Sequence, residues 1–122
     1  MHSRDFFAIY EEMRTFLGEF ELMVILAVAC LGGEAYGVPI ARELEHRRRR
    51  GVSLGSVYAA LERLEEKGLV TSTVGEPMQE RGGRARRYFH ITRQGVRTIR
   101  ETRDVLNGFW RRIPNLEKGG TT

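Results

Sequence analysis

Residues 53–70 read SLGSVYAALERLEEKGLV. Leu54, Val57, Leu61 and Leu64 recur at the three-and-four spacing of a helix and so form one apolar stripe. Ser53 stands just before that stripe, where its hydroxyl can accept from an otherwise orphan backbone N–H, and Gly68 stands just after it as a stop. The stretch therefore predicts a short amphipathic helix with both ends marked.

The face opposite the stripe carries the functional information. At about 100° per residue, Gly55, Ser56 and Ala59 point outward near the start, with Arg63 and Lys67 further along. Small residues there let a helix N-terminus approach something large and anionic, while Ser56 and the bases donate hydrogen bonds. An ordinary surface helix with small residues on it fits the same pattern.

The charge distribution favours the first of these. The 122 residues suffice for one domain with a real core, and their net charge of +4 is unevenly spread. Residues 1–46 hold eight acids against three bases, residues 47–100 hold thirteen bases against five acids, and the remainder is +1. The basic surplus thus surrounds the 53–70 segment, as expected where a chain meets phosphates. Of the twenty basic residues eighteen are arginine, the residue with forked donors.

Other classes find little support. Cys30 is the only cysteine and lies in an apolar run, so it is expected to be a buried small hydrophobe in a reducing compartment. His2, His46 and His90 are far apart, so no metal site is expected. No nucleophile with its base, phosphate loop or paired-carboxylate site is recognisable, and Glu65 and Glu66 read as a solvated helix face, so the chain is not expected to be an enzyme and no cofactor is expected. The start of the chain lacks a signal-peptide pattern, and the apolar run Leu22–Leu31 is too short to span a bilayer. A soluble, cytoplasmic protein with no membrane partner is expected.

Along the chain, Phe6, Ile9, Tyr10, Met13 and Leu17 share one face of a short first helix. Residues 19–31 form a second helix, apolar almost all round and so central to a core, which Gly32 and Gly33 end. A third begins near Tyr36 or Gly37, since Pro39 is tolerable only in a first turn, and closes on Arg47–Arg50. Those arginines either answer the helix dipole or meet phosphates. Gly51 and Val52 turn into the 53–67 helix, giving the order of a helix-turn-helix unit. Beyond Gly68 the period becomes that of strands. Residues 69–74 and 86–92 flank a hairpin tip, with Arg87, Phe89 and Ile91 on one face of the second strand and Arg86, Tyr88 and His90 on the other. Arg81, Arg84, Arg86 and Arg87 make this hairpin a basic wing. Thr92 caps a last helix whose Val96, Ile99, Leu106, Phe109, Trp110 and Ile113 form a second apolar stripe, for which self-association is the economical partner.

The segments LGEFELMVILAV (17–28), EAYGVPI (34–40), VSLGSVYAALERLEEKGLV (52–70) and GEPMQERGGRARRYFHITRQG (75–95) together resemble, in order and spacing, the PadR family of bacterial transcriptional regulators. The resemblance spans residues 16 to about 106. It implies a mostly α fold with a two-stranded wing: a winged helix-turn-helix over residues 1–92, with N-terminal and C-terminal dimerisation helices, the latter in 93–122. It also implies a cytoplasmic homodimeric repressor of a palindromic operator in double-stranded DNA, relieved in some relatives by a small aromatic or amphipathic effector between protomers. The recognition helix matches Ser53–Lys67, so Ser53, Ser56, Tyr58, Ala59 and Arg63 are expected at the DNA, with Arg81, Arg84, Arg86 and Arg87 from the wing. Tyr58 is expected to bury its ring against the wing and keep its hydroxyl free. Phe6, Tyr10, Val96, Ile99, Leu106, Phe109 and Trp110 are expected at the dimer interface, and Phe109 and Trp110 fall near the effector position of some relatives. A winged-helix module binding an acidic partner protein is the rival reading.

Overall fold

The computed structural model describes residues 17–77 and 85–116. Phe6 and Tyr10 of the expected first helix, and Arg81 and Arg84 of the wing tip, lie outside the described residues. The elements in chain order are α1 (Glu19–Leu31), a 3-10 turn (Gly32–Glu34), α2 (Gly37–Arg48), α3 (Leu54–Glu66), β1 (Val70–Pro77), β2 (Ala85–Ile91) and α4 (Arg93–Arg111). The chain is mostly helical with a two-stranded antiparallel wing, as the sequence predicts.

Local chemistry explains the boundaries. Gly32, at φ 57°, ends α1 with its N–H on the carbonyl of Val28. Ser53 caps α3, its Oγ accepting from the N–H of Ser56 at 3.1 Å. Thr92 does two jobs: its hydroxyl donates to the carbonyl of Gly68 at 2.8 Å and accepts from the N–H of Gly95 at 3.0 Å, so one side chain joins the end of α3 to the start of α4. The α2–α3 turn holds a surprise. Its left-handed residue is Arg49, φ 59°, and not the neighbouring Gly51.

The core lies where α1, α2, α3 and the root of the wing meet, with Val24, Ile25, Val28, Ile40, Leu44, Val57, Leu61, Leu64, Val70 and Phe89 at its centre. The strands pair from Val70 opposite Ile91 through Val74 opposite Arg87, with an irregularity between Val74 and Pro77. The outer edge of β2 is also held, since the N–H of Phe89 donates to the carbonyl of Ala35 at 2.8 Å. The wing is thereby stitched to the segment that leads into α2.

Three expectations are corrected. Leu54 is 42% exposed, because the buried sector of α3 is turned toward Ala60, which is wholly buried beside Val57, Leu61 and Leu64. Cys30 is exposed, and so are Leu26 and Ala29, because α2, α3 and the wing cover only one side of α1. For the same reason α1 is not surrounded by core. Finally, Tyr58 packs with its hydroxyl and ring edge against Gly37 at the start of α2, where a Cβ would stand 2.6 Å from the ring carbon Cζ. The residue is 39% exposed and not buried, and its hydroxyl end lies against the start of α2.

Candidate nucleic-acid interface

The first two turns of α3 present Ser53, Gly55, Ser56, Tyr58 and Ala59 to solvent. The hydroxyls of Ser53 and Ser56 lie 2.9 Å apart, so the cap that starts the helix also leaves a small polar tip at its positive end. Beside this tip is a cavity of about 210 Å³ lined by Phe20, Arg48, Gly51, Val52, Ser53 and Ser56. Arg48 reaches it from the last turn of α2, its guanidinium 5.6 Å from the Phe20 ring centre, while Arg49 and Arg50 stand exposed next to it. Further along α3 the exposed residues are Glu62, Arg63 and Glu66, of which Arg63 is paired with Glu21. The two acids there disfavour phosphates, so the N-terminal half of the helix is the face better suited to an anionic partner.

A second group of side chains adjoins this tip through Tyr58. Gly37, against which Tyr58 rests, follows Tyr36, and the Tyr36 and Tyr88 rings meet edge-on with centres 5.4 Å apart. Arg86 of β2 lies 4.4 Å over the Tyr36 ring. A hydrogen bond with Tyr88 raises the Arg86 pKa above its ordinary value, which keeps the group cationic. The start of α2, the start of α3 and the root of the wing thus form one surface of aromatic rings, hydroxyls and arginine. Flat rings and guanidinium groups suit sugar–phosphate backbones and minor-groove edges.

Arg63 and Arg87 are placed differently. Arg63 donates from Nε to Glu21 Oε2 at 2.7 Å, turning back toward α1, although half of its side chain stays exposed. Lys67, one turn on, donates to Glu21 Oε1 at 2.7 Å. Burial pushes the Glu21 carboxyl up, but the hydrogen bonds from Lys67 and Arg63 outweigh it and hold the group below its ordinary value. Arg87 donates to Glu65 Oε1 at 2.7 Å and to the Ser72 hydroxyl at 3.0 Å, with its guanidinium over Phe89, so it ties the wing to α3. Neither arginine is poised solely for an external anion.

From the sequence, Tyr36, Gly37 and Tyr88 have a place in a helix or strand but no role at the site, and Glu21 has none at all. Glu21 is a lone acid inside an apolar run, which is a legible signal. Tyr36 followed by a glycine at the first position of a helix is another. Tyr88 became informative only through its contact with Tyr36.

The last helix offers a different surface. Val105, Leu106, Phe109, Trp110 and Ile113 are between 48% and 67% exposed along α4 and beyond. Between α1 and α4 lies an apolar groove of about 460 Å³ that includes Leu22, Leu26, Val96, Ile99 and Leu106. Phe109 and Trp110 lie beyond its lining. Among the described residues no helix is long and apolar enough to cross a membrane.

Comparison with known proteins bears on this arrangement. The profile of the transcriptional regulator PadR-like family matches residues 25–101. A PadR-like transcriptional regulator from Bacillus cereus has 25% identity and a TM-score of 0.64, with 83% of this chain and 93% of that one aligned. A PadR family regulator from Eggerthella lenta aligns over 93% of this chain and 92% of its own at 22% identity and a TM-score of 0.62. For a PadR family regulator from Clostridium difficile the shares are 84% and 100%, at 21% identity and a TM-score of 0.61. Among curated proteins none matches.

Proposed function

The chain belongs to the PadR-like family of transcriptional regulators, and from that premise we propose that it is a cytoplasmic homodimeric repressor that reads a palindromic operator in double-stranded DNA with α3. The observation that carries this reading is the convergence of Tyr58, Gly37, Tyr36 and Arg86 beside the capped tip of α3. That convergence supports a winged-helix contact in which α3 enters the major groove by its N-terminal half. Gly55, Ser56 and Ala59 permit close approach, Ser53 and Ser56 donate, and the wing arginines Arg81, Arg84, Arg86 and Arg87 follow the backbone. Residues 1–92 form the reading unit in this account.

Residues 93–122 form the dimerisation arm. Exposed Leu106, Phe109 and Trp110 on α4 support pairing with a second copy, to which this reading adds half-buried Val96 and Ile99 and, from the N-terminal region, Phe6 and Tyr10. In such a dimer the two α3 helices enter successive major grooves about 34–36 Å apart. The groove between α1 and α4, at about 460 Å³, is of a size that takes a small aromatic or amphipathic effector, with Phe109 and Trp110 following its last lining residues on α4. Such an effector releases DNA by favouring a dimer whose α3 spacing fits the operator poorly.

Gel retardation tests the reading. The purified protein is expected to retard its own upstream DNA at low salt, with affinity falling steeply as salt rises. A stable complex with an acidic protein and no retardation of that DNA would contradict it. Effectors that release DNA are expected to quench Trp110 fluorescence.

A further inference from the structure

Glu21 is the one buried charged residue among those described, at 8% exposure, and it sits on α1 one turn before the core residues Val24 and Ile25. A core built only for stability does as well with an apolar residue at such a place, since desolvating a carboxylate offsets most of what its ion pairs return. What the carboxylate adds is geometry. Each oxygen is taken by a different cation of α3, Oε2 by Arg63 and Oε1 by Lys67, both at 2.7 Å. Apolar ridges allow one helix to rotate or slip along another at modest cost, whereas two charged bonds from one carboxylate to positions four apart admit one register.

The neighbouring face of α1 adds a consequence. Leu22, adjacent to Glu21, lines the groove against α4 together with Leu26. The helix that carries the dimerisation arm on one side therefore holds the reading helix by ion pairs on the other.

We propose that Glu21 is a positioning residue for DNA selection: by clamping Arg63 and Lys67 it fixes the rotation and axial position of α3 relative to α1, and so the register in which Ser53, Ser56 and Ala59 meet the bases. The proposal rests on the reading of α3 as the DNA-reading helix. Lys67 is the telling partner. It lies fourteen residues from Ser53, about 21 Å along the helix, too far for direct contact with the base pairs under the α3 tip.

The experiment compares the full-length protein with Glu21→Gln, Glu21→Leu and Lys67→Met. Wild type first selects duplexes from a random-sequence pool. Affinity of each variant is then measured for the selected duplex and for an unrelated duplex of equal length, alongside thermal midpoint. The ratio of the two affinities is expected to fall on the order of tenfold in all three variants, the effect of about one mismatched base pair. Binding to the unrelated duplex is expected to stay within about twofold for Glu21→Gln, which removes an acid and no phosphate contact. Glu21→Leu and Lys67→Met separate positioning from stability, since a folded variant with a near-native midpoint and a lowered ratio has lost only its register. An unchanged ratio in the folded variants would overturn the proposal and leave the DNA reading intact. Failure of wild type to select any sequence would overturn both.

Discussion

The Tyr58 hydroxyl rests on the backbone of Gly37, so α3 and the start of α2 meet at a place where only a hydrogen fits. A Cβ on residue 37 would overlap the phenol, standing 2.6 Å from Cζ and 3.1 Å from Cε2. Gly37→Ala is therefore expected to displace Tyr58 and lower stability by about 2 kcal/mol, in the range for overpacking. Tyr58→Ala in the same chain is expected to recover most of that loss, since it removes the overlapping ring. Thermal melts of the two single variants and the double variant check this coupling, and strictly additive losses would refute it.

Ser53 separates folding from binding. Its hydroxyl caps α3, so Ser53→Ala is expected to cost about 1 kcal/mol, while Ser53→Asp keeps a good cap and stays near wild-type stability. The carboxylate of Ser53→Asp, however, stands at the tip proposed to face phosphates. DNA affinity at fixed salt is expected to drop at least about tenfold in Ser53→Asp with little change in melting temperature. Equal DNA affinity in Ser53→Asp and wild type would remove the α3 tip from the interface.

Arg49 carries the left-handed conformation that ends α2, at φ 59°. A non-glycine residue there is strained by about 1–2 kcal/mol, and glycine relieves it at some cost in unfolded-chain entropy. Arg49→Gly is expected to raise stability by roughly 0.5–1 kcal/mol, seen as a higher denaturation midpoint. If Arg49 also touches phosphate, the same variant shows a shallower salt dependence of DNA binding.

These residues also show what the linear chain discloses. Helix limits that depend on neighbours were legible: Gly32 after α1, Pro39 in the first turn of α2, Ser53 before α3 and Thr92 before α4 all act within a few residues of where they stand. The face assignment of β2 followed from alternation, with Arg87 over buried Phe89 and Arg86 beside Tyr88. What escaped was set by distance in sequence. Glu21 meets Arg63 and Lys67 across more than forty residues, and Tyr58 meets Gly37 across about twenty, so no local period encodes either contact. The exposure of Leu54 and Cys30 escaped for a related reason: an apolar residue on a helix shows that a face is greasy, not which neighbour covers it. The left-handed turn at Arg49 escaped because nothing local in a run of four arginines marks which of them leaves the helix.

The Glu21 cluster has a pH signature. Its carboxyl titrates below its ordinary value because the hydrogen bonds from Lys67 and Arg63 outweigh burial. A carboxyl with a depressed folded-state pKa binds more protons when unfolded, so its stabilisation is fully present above the unfolded pKa and disappears as pH falls through the folded one. The stability difference between wild type and Glu21→Gln is thus expected to be flat from pH 8 to about 6, at about 2 kcal/mol, and to shrink below the ordinary carboxylate range of about 4.3. Chemical denaturation of both proteins across that range provides the check, and a difference that grows on acidification would reverse the sign and contradict the pairing.

The central claim is that two copies of α3, set by one dimer, read two half-sites of one duplex. Hydroxyl-radical footprinting of the protein on a duplex it has selected from a random pool tests that directly. Two symmetric protected patches on one face of the DNA, centred about 34–36 Å apart and carrying inverted copies of one short sequence, are the expected result. A single unrepeated patch, or protection that is uniform along any duplex offered, would contradict it.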